Sequence, residues 1–245
     1  MLTSVRSLMA ATVLAGSAFV AAPAAAQEVG VEVSANAAIV SEYRFRGVDL
    51  SGGDIAIQGG VDIGLPAGFY IGTWGSSIDE TTVGYGHTEL DIYGGWATDI
   101  SDTVSFDIGA IMYIYPNAGP GDFDYIEFYS SVGFALGPAD LAVGVAYAPD
   151  QDSLGSTDNF YIYTDLGIGI PDTPITITGH LGYTDGFLTF TNDSEAFDWS
   201  IGVEVALGDI LSIGAAYVDV EGDAAVDPGE VFTSDAFVVT LAASI

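Results

Sequence analysis

Two arginines, Arg44 and Arg46, stand two residues apart in a chain with three basic residues in all, 34 carboxylates and no lysine. In an extended segment that spacing puts both guanidinium groups on one face, together with Glu42, Asn36 and Ser34. On a wall facing hydrocarbon each would cost about 2–4 kcal/mol at mid-depth and about 0–1 kcal/mol near an interface. The cheaper address is a polar interior. Carboxylates recur at one parity of later segments, at Glu89, Asp91, Glu127, Asp198 and Glu204, and the arginines can pair with them there. These eight residues, Glu42 included, are the expected pore lining. Two compatible readings stay open: a charged constriction that sorts solutes by charge, and an ion-pair network that braces the interior.

Other chemistry finds less support. A hydrolase at a membrane rim needs a Ser–His pair with an orienting group. His87 and His180 are the only histidines, neither lies near a nucleophile-elbow motif, and His180 shares parity with Thr176, Thr178 and Thr184. No catalytic residue is expected, and a rim enzyme is the most distant alternative. The absence of Cys excludes disulfides and thiolate metal sites. Asp122 with Asp124, Asp150 with Asp152, and the group Glu221, Asp223, Asp227 and Glu230 are spaced as oxygen ligands of Ca²⁺ can be. None follows a defined calcium-loop pattern, so solvated acidic loops are the simpler reading, with no metal and no cofactor expected. Nucleic acid is excluded as a partner, because its phosphates need basic side chains.

The elements that must position these residues are extended. Arg6, the apolar run Leu8–Ala22 and the small residues Ala24-Ala25-Ala26 form a secretory signal spanning residues 1–26. A mature start at Gln27 leaves about 219 residues with a net charge of 2 − 34 = −32. Thereafter apolar and polar residues alternate with period two. Val31, Val33, Ala35, Ala37, Ile39, Tyr43 and Phe45 share one face of the first segment. Phe197, Trp199, Ile201, Val203, Val205 and Leu207 share one face of the tenth. Twelve segments are expected; the third and fifth alternate poorly, and the seventh, Leu141–Ala148, is short.

The connections have a rhythm. Long acidic ones (Gly47–Asp54, Ser77–Gly86, Pro116–Asp122, Pro149–Asp158, Gly186–Ala196, Glu221–Ser234) alternate with tight ones near Pro66, Asp99, Gly137, Pro171 and Gly208. A soluble sandwich has no reason to sort loop length by parity, whereas an antiparallel barrel across a membrane does. Tyr43, Phe45, Tyr113, Tyr115, Phe123, Tyr147, Tyr183 and Phe187 lie beside long loops. Phe69, Trp96, Phe106 and Phe134 lie near short turns, so two aromatic belts are expected. Twelve strands spaced about 4.8 Å apart and tilted about 40° enclose a backbone diameter of roughly 24 Å, leaving about 10–14 Å between side chains.

Val33-Ser34-Ala35-Asn36, Ser41-Glu42-Tyr43-Arg44-Phe45-Arg46-Gly47-Val48, Ala56-Ile57-Gln58-Gly59-Gly60 and Gly68–Ser76 resemble the N-terminal signature of the TorF porin family. The match is specific over Val33–Gly95 and looser beyond, as at Tyr147-Ala148-Pro149-Asp150. The chain departs from barrels of this class by ending in Ile245 rather than an aromatic residue. The resemblance implies a barrel of the bacterial outer membrane. The composite expectation is all-β, a transmembrane antiparallel up-and-down barrel of twelve strands over residues 27–245. It would pass small hydrophilic solutes or ions passively, cations preferred. Its partners would be outer-membrane lipid and, during biogenesis, the barrel-assembly machinery. The rival is a structural or surface-interaction barrel plugged by ion pairs and folded-in loops.

Overall fold

The computed structural model describes residues 30–189, 191–222 and 233–245. The expected signal segment 1–26 and the acidic residues Asp223, Asp227 and Glu230 lie outside the described residues. Twelve strands form the wall: β1 (Glu32–Val40), β4 (Ala56–Gly64), β5 (Phe69–Ser77), β6 (Thr88–Ser101), β7 (Val104–Ile114), β8 (Tyr125–Leu136), β9 (Ala139–Gln151), β10 (Thr157–Gly169), β11 (Ile175–Gly186), β12 (Glu195–Leu207), β13 (Leu211–Glu221) and β14 (Ala236–Ser244). Two further short strands, β2 (Arg44–Phe45) and β3 (Val48–Asp49), form a separate hairpin.

Each wall strand pairs antiparallel with its chain neighbour, and β1 pairs with β14 to close the barrel. The seam continues past the last strand residue, because Ala35 and Ile245 exchange both backbone hydrogen bonds at 3.1 and 3.0 Å. Closure leaves no edge strand in the twelve-stranded wall, the condition for placing a sheet in hydrocarbon. The expected fold class is the one observed, and the segment expected to be short, Leu141–Ala148, belongs to a full-length strand.

Exposure is inverted relative to a water-soluble protein. Val33 (67%), Ile57 (67%) and Phe237 (66%) are among the most exposed side chains, and the outward face of every strand continues this pattern. The inward face carries Glu89, Asp91, Asp107, Glu127, Asp198 and Glu204, all buried. An exterior of that kind fits hydrocarbon and an interior of that kind fits water or paired charge.

The rims differ in the expected way. Tight turns at 65–68, 102–103, 137–138, 170–174 and 208–210 form one rim, and the longer connections form the other. The aromatic belts are only partly as expected. Tyr147 and Phe187 face outward at the long-loop rim, where Tyr183 packs against Phe197 at 4.8 Å; Phe69 and the Trp96–Phe106 pair (6.3 Å) do so at the short-turn rim. Tyr43, Phe45, Tyr113 and Tyr115 are buried inside the barrel instead.

Candidate functional site

The first wall strand stops at Val40, six residues short of the expected end, because the chain turns into the lumen there. Arg46 (φ 50) and Gly47 (φ 79) occupy consecutive left-handed positions between Phe45 and Val48, which pair across the turn. Two positive φ values at the centre of a two-residue loop make the tight turn whose twist matches its strands. Gly47 suits that geometry and also a close approach: a Cβ there would lie 2.7 Å from Val220 Cβ and 3.0 Å from Asp198 Cβ. The hairpin tip therefore rests against the β12–β13 wall. At its base, Ser51 Oγ accepts from Tyr43 N at 2.8 Å, and Leu50 N donates to Tyr43 O at 2.9 Å.

The hairpin reaches several parts of the wall through polar groups. Arg46 Nη2 donates to both oxygens of Glu127 on β8, at 2.7 and 2.8 Å, and Glu127 is 0% exposed. The same guanidinium lies 4.2 Å from the Tyr161 ring centroid on β10 and 4.8 Å from that of Phe45. Tyr43 Oη donates to Glu89 Oε1 at 2.7 Å, while Tyr115 Oη donates to Glu89 Oε2 at 3.1 Å. Arg44 pairs with Glu42 inside the loop and donates to Ser234 O at 2.6 Å and Gly47 O at 3.1 Å. Apolar side chains fill the remaining space, with Phe45, Val48 and Leu50 packed in one cluster with Ile111, Tyr113 and Leu154. Above them Tyr85 contacts Tyr115 at 4.4 Å and Phe123 at 5.9 Å; burial, with the Glu89 charge adding to it, pushes the Tyr85 phenol above its ordinary range.

The arginines are thus inward, but as part of a plug and not as wall positions of β1. This corrects the expected parity argument: Tyr43 and Phe45 point into the same packed interior as Arg44 and Arg46. It also corrects the expected clearance of about 10–14 Å, because the hairpin occupies the long-loop half of the lumen.

The short-turn half is different. Tyr70, Tyr93, Tyr163, Asp62 and His180 are half-buried on the inward face. The tyrosine rings lie over glycines on the neighbouring strand: Tyr93 over Gly72, Tyr70 over Gly95, Tyr129 over Gly109 and Tyr163 over Gly144. Each of these four pairs stands directly opposite in the strand register. A glycine leaves room for a large ring to lie along the wall instead of across the lumen. The hydroxyls are fixed by carboxylates, Tyr70 Oη donating to Asp107 Oδ1 at 2.7 Å and Tyr93 Oη to Asp62 Oδ1 at 2.5 Å.

His180 is held at both ring nitrogens, Nδ1 at 2.6 Å from Asp165 Oδ1 and Nε2 at 2.7 Å from Asp198 Oδ2. The two aspartates sit at opposite ring nitrogens, so the trio does not converge on a metal. Among the described residues no three potential metal ligands converge anywhere. Asp91 is buried beneath the hairpin, its Oδ1 without a hydrogen-bond partner, and the charges of Glu89 and Glu127 bear on it. The lumen therefore has a buried, ion-paired half and a half-buried, aromatic and acidic half. Inward Asp62, Asp107 and Asp165 and the tyrosine–glycine pairs are features of the inner wall that the sequence expectation did not include. Their signal was present as Gly and Tyr alternating at inward parity on adjacent strands, as at Tyr70-Ile71-Gly72 and Tyr93-Gly94-Gly95.

A family model described as a bacterial protein of unknown function (Gcw_chp) matches residues 24–245. By sequence, no curated protein matches. Among solved structures, the chain is similar to the KdgM porin at 7% identity and a TM-score of 0.57, with 86% of this chain and 97% of that chain covered. It is similar to the NanC porin at 10% identity and 0.57, with 87% and 99% covered. A KdgM porin in complex with disordered oligogalacturonate matches at 6% identity and 0.56, with 88% and 98% covered. At such identities the likeness is one of fold.

Proposed function

We propose that this chain, which belongs to the Gcw_chp family of bacterial proteins, is a porin-type diffusion channel of the bacterial outer membrane, constricted by its own first long loop. On this reading residues 1–26 are a removed signal, residues 27–245 form one barrel, and the short-turn rim faces the periplasm. The N-terminal resemblance to TorF porins fits the same placement. Outer-membrane lipid covers the apolar exterior, and the barrel-assembly machinery inserts the chain.

The observation that carries the reading is the polar short-turn half of the lumen, where Asp62, Tyr70, Tyr93, Tyr163, Asp165 and His180 are only partly buried. A barrel with only a structural role gains nothing from carboxylates and phenols left partly accessible on its inner wall, as Asp62, Asp165, Tyr70 and Tyr93 are. Small hydrophilic solutes and ions are the class such a lining suits. Asp62, Asp107 and Asp165 there meet no guanidinium, since Arg44 and Arg46 are engaged in the hairpin. A low-dielectric wall focuses the field of these carboxylates, so cations are preferred. The carboxylate-bearing oligogalacturonate of the KdgM complex is a poor model for the solute here, because this lining would repel it.

A second reading, a plugged barrel without conduction, draws on the burial of Arg46 and Glu127. Planar-bilayer recording separates the two. The channel reading expects discrete conductance steps from the mature chain, enlarged in a chain shortened by removal of residues 43–50. Silence from both would leave the plugged barrel.

A further inference from the structure

We propose that the short-turn half of the lumen is a binding site for a small organic cation, an alkylammonium compound held between tyrosine ring faces and aspartates. The inference rests on the reading of this half as open to solutes, but not on conduction past the hairpin.

The geometry is that of an aromatic and acidic lining laid along a barrel wall. Tyr70, Tyr93, Tyr129 and Tyr163 each lie over a glycine of the adjacent strand. One side of each ring is thereby covered by backbone; Tyr129 is buried and Tyr163 also stacks on Tyr161 at 5.4 Å, while Tyr70, Tyr93 and Tyr163 keep part of their surface toward the lumen. Aromatic faces carry negative quadrupole charge and attract ammonium groups, most strongly where water is partly excluded. Phenols that donate to carboxylates, as Tyr70 does to Asp107 and Tyr93 to Asp62, gain electron density in the ring and strengthen that attraction. Tyr70 Oη also lies 2.6 Å from Tyr129 Oη, which links two of the rings into one unit.

Charge decides the ligand class. A neutral sugar would also stack on these rings, but it has no need of the surrounding carboxylates. An anion would be repelled by Asp62, Asp107 and Asp165. The protein contains no lysine that could neutralise them, and its two lumen arginines are committed to Glu42 and Glu127. His180 offsets part of the charge of Asp165 and Asp198 but leaves Asp62 and Asp107 untouched. Two residues from Tyr93 on β6, Asp91 is a buried carboxylate with an oxygen lacking any hydrogen-bond partner among the described residues. A polar group left in that state is costly unless something arrives to satisfy it. Inorganic cations would meet the carboxylates but make no use of the rings; an alkylammonium ion uses both.

The test is calorimetric titration of the folded mature protein in detergent with choline, its neutral isostere 3,3-dimethylbutan-1-ol, and glucose. Choline should bind at least tenfold more tightly than either. Replacing Tyr70 and Tyr163 together by Leu should weaken choline binding about fivefold or more, whereas Tyr70→Phe, which keeps the ring, should stay within about twofold. Asp62→Asn with Asp107→Asn, which leaves every ring in place, should also weaken it. Retained gel mobility shift on heating certifies folding of each variant; if the Leu variant loses it, the Asn variant carries the test. Equal binding of choline and its isostere, stronger binding of glucose, or no binding at all would overturn the inference. Conductance recorded on the same preparations keeps the readings apart. Conduction without choline preference sinks this inference alone, and choline binding without conduction sinks the channel reading alone.

Discussion

Removing the negative charge opposite Arg46 should release the hairpin from the lumen. Glu127→Gln keeps the side-chain shape but leaves a guanidinium that is 4% exposed without its carboxylate. Arg46 Nε and Nη1 already lack partners among the described residues, so Glu127 is the group that satisfies this side chain. Breaking a buried pair by removing one partner costs about 3–5 kcal/mol. The left-handed backbone at Arg46 (φ 50) adds a strain of about 1–3 kcal/mol that the docked state must already carry. The contact with Tyr161 on the wall opposes release by about 0.5–2 kcal/mol. At 1.36 kcal/mol per tenfold, the lost pair alone shifts docking by about two to nearly four decades. Hydrogen exchange resolves this locally. The Leu50 amide, which donates to Tyr43 O, should exchange at least about a hundredfold faster, while wall-strand amides such as that of Val145 stay unchanged. Combining Arg46→Met with Glu127→Leu should restore protection, since an apolar pair of similar volume carries no unpaired charge. Unchanged exchange in the single variant, or an equal rise throughout the wall, would refute the assignment of this ion pair as the hairpin's anchor.

Gly47→Val should displace the hairpin tip, because the new side chain would meet Val220 at a position with φ 79. A cost of about 1–3 kcal/mol is expected, read as faster hydrogen exchange confined to residues 43–50, and unaltered exchange would contradict the close approach. Epitope tags at 152–156 should bind antibody on intact cells and tags at Pro138 or Asp172 should not; the reverse pattern would invert the proposed orientation.

The wall was legible in the sequence because lipid outside and polar groups inside impose a strict period of two. The tenth segment, Phe197–Leu207, shows this plainly. The hairpin was not legible for the same reason. Tyr43, Arg44, Phe45 and Arg46 alternate as a wall strand would, and a plug hairpin has the same period. What distinguishes them is the turn at Arg46-Gly47, where arginine takes a left-handed conformation usually filled by Asn, Asp or Gly. The weak alternation of the third and fifth segments has the same origin. Trp74, Ile111 and Tyr113 face inward although apolar, because they meet the hairpin or its neighbours and not water. The eight residues expected to line a pore are brought inward, but Arg44, Arg46 and Glu42 arrive on a loop. Glu89 binds two phenols instead of an arginine, a pairing that no spacing in the chain announces.

The central proposal is a cation-preferring channel whose selectivity comes from inward carboxylates. Its most direct test is the zero-current potential across a KCl gradient in a planar bilayer, measured at several mean concentrations. The field of the carboxylates reaches about 30 Å at 0.01 M salt and about 3 Å at 1 M. The potential should therefore carry the sign of cation preference, be largest in dilute salt and fade as salt rises. An anion-selective potential, which would hand control of the lumen to Arg44 and Arg46, would contradict the account.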